Sequence, residues 1–382
     1  MSSDYSIGVE EEFFLTETSS GLIVPHMPAG FVRACNSRVA GEATYELMQS
    51  QIETTTPVCR NPGELRHALT ALRSGLTDVA GDFGLSLVAA GTHPLGEWRE
   101  QVTTAAPRYE RLIEDFQIVG RRNLLCGLHV HVAPPCGVDR VDVMNRLVPW
   151  LPLLLALSTS SPFWSRQDTG LASYRQAAYD EWPRTGIPDY FGGQAEYDTF
   201  VQGLLTAGVI PDPGQLWWAI RPSARFPTLE LRLCDSCTHI DDALCIAQLF
   251  RCLIRALVRQ PEVGRARTPL TRMLVEENRW QAKRQGVRAQ FIDEIHGGRR
   301  EPMNDALQRL LEFIEPDIDH FGCRADVLHA QVIVERGTSA DQQRAVYRAR
   351  REAAAPRREA CQDVVRWLAE ATRVAAGVSR AA

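Results

Sequence analysis

Apolar and polar residues alternate along Ile7–Thr16, I-G-V-E-E-E-F-F-L-T, which is the period of a β-strand. Ile7, Val9 and Phe13 then share a face suited to a core, while Gly8, Glu10, Glu12 and Phe14 share the other. Glu11 fits neither face cleanly. The pattern recurs at Leu125–Val132, where Leu128, Val130 and Val132 back Gly127, His129 and His131. It recurs again at Thr228–Asp235, where Leu229, Leu231 and Leu233 back Glu230, Arg232 and Cys234. Leu85–Ala90 and Leu216–Ile220 read as shorter strands. Thr44–Val58 is rich in β-branched residues near its end and carries Glu46 and Glu53. On one unbroken strand these two would face opposite ways, so they converge only if the backbone bends between them.

Helical periodicity fills much of the rest. Asn61-Pro62-Gly63-Glu64 opens a helix with a capping side chain and a proline at its first position, and Leu65, Leu69, Leu72, Leu76 and Val79 form its apolar stripe. Further helices are predicted over Pro107–Arg122, Val138–Thr159, Glu196–Val209, Ile240–Arg259 and Thr271–Gln285. Gly21–Arg38 reads as a loop. So does the Trp-, Tyr- and Gly-rich stretch Ser160–Gly193, whose length suggests a lid or binding wall. His93, held extended by Pro94, is either a turn or a pocket residue. Beyond Gly286 the chain is charged and helix-forming, with breaks expected at Gly297–Gly298, Pro316, Gly337 and Pro356. No repeat or linker divides it. A single domain over 1–382 is expected, with the sheet and its chemistry within 6–290 and a mostly helical remainder over 291–382.

Composition narrows the class. The chain has 382 residues, 45% hydrophobic and 23% charged, enough for a large globular core. A net charge of −5 with no basic block before the last third argues against nucleic acid as the main partner. Lys283 is the only lysine; arginine supplies the remaining positive charge. The N-terminus, M-S-S-D-Y-S, resembles no signal peptide. The longest apolar run, Leu147–Leu157, is broken by Pro149 and Pro152 and falls short of a membrane span, so it reads as a buried helix. Ten cysteines without framework spacing favour reduced thiols and a cytoplasmic location. Cys234 and Cys237 form a lone C-x-x-C without the second pair a zinc site needs. The many apolar helical faces leave a homo-oligomer as an expectation.

The charged faces carry the chemistry. Glu10 and Glu12 would project side by side, roughly 7 Å apart at Cα. Such a pair is either an exposed acidic strand edge or, if partly buried, a site that needs a cation. Gathering Glu10, Glu12, His129, Glu230 and Arg232 on the open side of an antiparallel sheet makes an acidic concavity with one arginine in it. Several carboxylates and one imidazole suit Mg²⁺ or Mn²⁺ better than structural zinc. An arginine beside such ions implies an anionic ligand such as phosphate. No Walker A or G-x-G-x-x-G loop occurs, so nucleotide binding would rest on metals and arginine.

These residues also resemble a known family. G-V-E-E-E at 8–12, Glu46 and Glu53 before T-T-P, G-T-H-P at 91–94, G-L-H-V-H at 127–131, R-P-S at 221–223, T-L-E-L-R at 228–232 and E-N-R-W-Q-A-K-R-Q-G at 277–286 look like the type 2 glutamate–cysteine ligase family, and within it the bacterial carboxylate–amine ligase branch. The matches run in order from Ile7 to Gly286. The resemblance implies an α+β, glutamine synthetase-like catalytic fold, a curved antiparallel sheet forming a funnel-shaped active site with helices packed behind. It implies an ATP-dependent ligase with Mg²⁺, joining an amino-acid carboxylate such as that of glutamate to an amine such as cysteine. By position it makes Glu10, Glu12, Glu46, Glu53, His129 and Glu230 metal ligands. It places Arg232 at the transferred phosphate, with Glu53 and Arg232 at the reacting groups. His131, Arg221 and Arg284 fall at positions for nucleotide or substrate. Lys283 stands where a small residue is expected.

Three other readings compete. A kinase of a carboxylate or guanidino group would share the first chemical step. A metal-dependent amidohydrolase would use H-x-H and distant acids on a parallel barrel. A ligand sensor would keep the fold without catalysis.

Overall fold

The computed structural model of the chain describes residues 4–293 and 298–373. Its main sheet has seven strands: β1 (Ile7–Glu17), β2 (Glu42–Tyr45), β3 (Gln51–Thr55), β4 (Leu85–Val88), β5 (Gly127–Val132), β6 (Ile220–Pro222) and β7 (Leu229–Asp235). Their order is β2-β3-β1-β5-β7-β6, with β4 paired to the second half of β1. Every pairing in this sheet is antiparallel, which removes the barrel that the amidohydrolase reading requires.

Alternation sorts the faces. Ile7, Val9, Leu128, Val130, Val132, Leu229 and Leu231 are buried in one apolar cluster with the helices Arg140–Leu147, Leu151–Ser158 and Ile240–Arg259. Glu11 points to this same side, and a buried arginine explains it. Arg73, from the helix Pro62–Asp82, donates through Nη2 to Glu11 Oε1 at 2.6 Å and through Nε to Oε2 at 3.1 Å. Its remaining hydrogens reach the carbonyls of Cys237 at 2.7 Å and Thr238 at 2.9 Å. A buried ion pair is tolerated only with pairing this complete, and here it ties β1 to the segment leaving β7. The helix carrying Arg73 starts as its sequence requires, with Asn61 accepting from the Glu64 amide at 2.9 Å.

Several elements depart from expectation. Thr44–Val58 is not one strand but the hairpin of β2 and β3, its turn falling at Glu46–Ser50. Gly21–Arg38 contains a short helix, Phe31–Asn36, because Phe31, Val32 and Cys35 bury one of its sides. Val138–Thr159 is split by a 3₁₀ turn at Val148–Trp150, where Pro149 has no amide hydrogen to give. Arg140–Ser158 spans 19 residues with mean hydropathy 1.3, apolar enough to cross a membrane by composition alone, yet 78% of its apolar window is buried inside the protein. It is a core element. Pro316 does not break its helix, Met303–Phe321, because it lies on the exposed side while Leu307, Leu310, Leu311, Ile314 and Ile318 keep the buried stripe continuous. The break expected at Gly297 lies outside the described residues.

The C-terminal helices, Arg324–Arg336, Ser339–Glu352 and Arg357–Thr372 among them, are laced to the sheet by side chains. Thr159 donates to Thr338 at 2.9 Å, Ser339 and Thr238 share a hydrogen bond of 2.6 Å, and Gln343 donates to the Ser160 carbonyl at 2.7 Å. Arg344 pairs with Asp168 at 2.8 Å, and Thr372 accepts from the Ala89 amide at 3.0 Å.

Candidate active site

Strand register sets the polar face. Glu12 lies directly opposite Glu53 across β1 and β3, Glu10 opposite His129 across β1 and β5, and His131 opposite Glu230 across β5 and β7. Arg221 on β6 completes the row opposite Glu230. Seven of the expected site residues, five of them expected metal ligands, thus meet across five adjoining strands. Carboxylate and imidazole atoms of Glu10, His129 and Glu230 lie within 4.8 Å of one another, and so do those of Glu12, Glu53 and His129. The two trios share one imidazole. The hairpin turn brings Glu46 back beside Glu53, so the bend that convergence required is present.

The imidazoles and arginines brace these acids. His129 Nδ1 sits 3.2 Å from Glu10 Oε2, and its Nε2 sits 3.7 Å from Glu12 Oε1, buried without a hydrogen-bond partner. Glu12 Oε2 accepts from the Gly127 amide at 2.6 Å. His131 lies between Glu10 Oε1, 3.4 Å away, and Thr228 Oγ1, 3.0 Å away. Arg221 grips both oxygens of Glu230, at 2.8 and 3.2 Å, and donates to the carbonyls of Gly214 and Leu216. His131 and Arg221 therefore stand as supports for Glu10 and Glu230. Arg232 also bonds Glu230.

The sequence model of the glutamate–cysteine ligase family 2 matches residues 6–366. The chain belongs to this family. A relative from Ectopseudomonas mendocina is 42% identical over 375 residues, 97% of each chain. One from Rhodospirillum rubrum is 44% identical over 368 residues, 95% of this chain and 94% of its own. Both carry the provisional name glutamate–cysteine ligase 2. Among solved structures, the glutamate–cysteine ligase of Francisella tularensis, in complex with AMP, matches with a TM-score of 0.69 at 12% identity, covering 97% of this chain and 89% of that one. A bifunctional glutathione synthetase from Pasteurella multocida matches with a TM-score of 0.69 at 14% identity, covering 97% of this chain and 53% of its own. At those identities the likeness is one of fold, and it agrees with the α+β, glutamine synthetase-like architecture expected from the sequence.

Charge balance in this family member separates the acids into two sets. Burial would raise Glu230, but Arg232 and then Arg221 outweigh it and hold its carboxyl well below the usual range. Burial likewise works against Glu10, whose hydrogen bonds with His129 and His131 keep it ionised. The other set has no such relief. Glu12 is pushed up to about 8 by burial and then by Glu46, Glu53 is driven well above its ordinary value by burial and by Glu46, Glu10 and Glu12, and burial raises Glu46. His129 is held down to about 4 by burial and Arg232, so its imidazole is neutral near pH 7 and has a lone pair to give. Crowded carboxylates, a neutral imidazole and a buried nitrogen without a partner form a donor set that fits a hard divalent cation.

Three residues fall elsewhere than expected. Arg284 is exposed, whereas the inward cations of its helix, Pro269–Gln285, are Arg279 and Lys283, both paired with Asp180. One residue along a helix turns a side chain by about 100°, so Arg284 does not join the row. His93 is no pocket residue: it is fully buried, 3.2 Å from Thr16 Oγ1, accepts from the Leu95 amide, and is held down to about 3 by burial. Cys234, expected beside Arg232 on the polar face, is in the core with its thiol toward Leu154. A bulge explains this. Leu128 pairs with Cys234 and Val130 with Leu231, so β7 carries one extra residue between them and its alternation reverses.

The long loop supplied groups that alternation could not reveal. Its short helix, Tyr174–Tyr179, delivers buried Arg175 beside Glu12 and brings Tyr179 close to Arg232. The available signal was Ser173 with Gln176 three residues on, a helix start inside a stretch read as irregular; Ser173 does accept from the Gln176 amide. At the opposite edge, Tyr109 donates to the Tyr45 carbonyl, and its hydroxyl is pushed up by burial and then Glu46.

Proposed function

We propose that this ligase-family member is an ATP-dependent carboxylate–amine ligase, activating the γ-carboxylate of glutamate or a similar acid and passing it to an amine such as cysteine. The observation carrying this reading is the pair of overlapping acid–imidazole trios with the Arg232 guanidinium at the same sheet face. In the reaction, a carboxylate oxygen of the substrate attacks the γ-phosphorus of ATP and ADP leaves. The amine nitrogen then attacks the acyl carbon, phosphate leaves, and the nitrogen loses a proton.

Glu12, Glu53 and the lone pair of His129 would hold one Mg²⁺ or Mn²⁺, and the carboxylates of Glu10 and Glu230 a second, with Glu46 supporting Glu53. Bound there, such ions supply neutralisation of phosphate charge. Arg232, buried and kept cationic chiefly by Glu230 against its burial, offers a fixed positive group for charge that spreads over the transferred phosphoryl. His131 and Arg221 hold Glu10 and Glu230 in place, so each carboxylate keeps its orientation between turnovers. No side chain needs to become a covalent nucleophile.

Incubating the protein with ATP, Mg²⁺, glutamate and a panel of amines tests the reading. Amine-dependent ADP release with a new amide supports it. Acid-dependent ADP without an amide favours the kinase, and no ADP with any pair removes the proposal.

A further inference from the structure

We infer that Arg175 is a positioning residue for Arg232: it fixes the bulge in β7 and so aims the Arg232 guanidinium, a role that rests on the proposed ligase chemistry only for its consequences in turnover. The bulge opens a gap in ordinary strand pairing between Leu231 and Cys234. Carbonyls freed there need donors, since unpaired buried backbone is costly. Arg175 supplies them from outside the sheet, joined at the Leu233 carbonyl by Gln176 Nε2 at 2.7 Å. Its Nη1 donates to the carbonyl of Cys234 at 3.0 Å and of Leu233 at 3.3 Å, and its Nη2 to the carbonyl of Arg232 at 3.4 Å. One planar guanidinium thereby spans the three consecutive residues at the irregularity, a geometry that a lysine ammonium cannot reproduce.

Arg175 is itself held tightly. It is 3% exposed, its Cζ lies 5.5 Å from the centroid of the Tyr179 ring, and its own amide donates to Ser161 Oγ at 3.0 Å. Ser161 in turn donates to Asp235, the buried last residue of β7, which also accepts from the Ser160 amide and the Ser173 hydroxyl. The loop that carries Arg175 is thus anchored to the end of the strand that Arg175 grips. Tyr179, one helical turn on, lies near Arg232. Gly127 completes the fit: a Cβ there would lie 2.3 Å from Arg175 Nη2 and 2.8 Å from its Cζ, so the guanidinium occupies space that only glycine leaves open.

The test uses the full chain with Arg175→Met, Arg175→Lys, Gly127→Ala and Arg232→Met, alone and combined. Amide hydrogen exchange over 229–235 reads the bulge without any substrate. Arg175→Met should speed exchange there by about tenfold or more while 51–55 is unchanged; equal rates over 229–235 would overturn the inference whatever the enzyme does. Gly127→Ala, which displaces the guanidinium while keeping it in the chain, should show the same local change and covers the case in which Arg175→Met does not fold. With an active substrate pair, Arg175→Met should lower kcat about 10- to 100-fold with KM for ATP within about threefold, and Arg175→Lys should restore little. In the Arg232→Met background the same change should add less than about twofold, because its route is already cut. Multiplicative losses would show that Arg175 acts independently of Arg232 and overturn the assignment. Failure to find any active pair removes the ligase proposal alone, and the exchange measurement still decides the grip.

Discussion

Glu11→Gln, Arg73→Met and the combined Glu11→Leu/Arg73→Met should rank in an order that only a buried ion pair produces. The side chains are 0% and 1% exposed, so neither charge has water to fall back on. Glu11→Gln leaves the guanidinium with its two carbonyl acceptors but without its counter-charge. Breaking a buried pair costs about 3–5 kcal/mol, and the retained carbonyls put this variant near the lower end. Arg73→Met is worse. It leaves a buried carboxylate alone and strips donors from the carbonyls of Cys237 and Thr238, each worth about 1–3 kcal/mol when unsatisfied. The double variant keeps the two orphaned carbonyls but removes both charges, so it should recover about 1–3 kcal/mol relative to Arg73→Met. Urea unfolding followed by tryptophan fluorescence measures all three. If the double variant is no more stable than Arg73→Met, charge pairing is not what holds Arg73 and Glu11 together and the account of Glu11 fails.

Other consequences are as direct. Arg232→Lys keeps a charge but loses the planar fork, and turnover measured as ADP release should fall about 10²-fold or more while Mn²⁺ binding, read by electron paramagnetic resonance, is retained; normal turnover would remove Arg232 from the reacting groups. In metal-free protein, Glu12 sits at about 8 and Glu53 well above the ordinary 4.5, so the folded chain keeps protons that the unfolded chain has released. For these acids folding is favoured below about pH 4.5 and that contribution is lost as pH rises through 8; because buried His93 and His129 pull the other way up to their ordinary value of 6.5, the net decline in Tm should appear between about pH 6.5 and 8, and saturating Mg²⁺ should flatten it. A metal-independent slope would show that these acids are not the titrating groups. Arg284→Ala should leave Tm and ADP release close to the parent, whereas Lys283→Ala, which removes a nearly buried ammonium and one of the two cations paired with Asp180, should lower Tm; the reverse pattern in a thermal-shift assay would restore Arg284 to the site.

The row of acids and imidazoles was legible because β1 and β5 are regular: with a period of two, Glu10, Glu12, His129 and His131 had to share a face. Glu230 and Arg232 came the same way, but Cys234 did not, since an extra residue in one strand leaves no mark in apolar alternation. The β2–β3 turn was hidden for a related reason. Its residues, E-L-M-Q-S, contain no Gly, Pro, Asn or Asp to announce a hairpin, and Leu47 and Met48 are buried like strand residues. Glu11 could not be understood locally, because its partner is 62 residues away on a helix. Arg175 and Tyr179 lay in a stretch without periodicity, where only tertiary structure brings a side chain to the site.

The lacing between the C-terminal helices and the sheet bears on how this protein could be shortened. Among the described residues, none after Gly286 contributes a carboxylate, imidazole or guanidinium to the row, and a designer seeking a minimal enzyme would be tempted to cut there. Yet Gln343 and Thr338 fasten Ser160 and Thr159, the start of the same loop that delivers Arg175 and Tyr179, and Ser339 fastens Thr238 beside the Arg73 carbonyl acceptors. A truncated chain would retain each reactive group in its sequence and lose the outer buttress that keeps them facing one another.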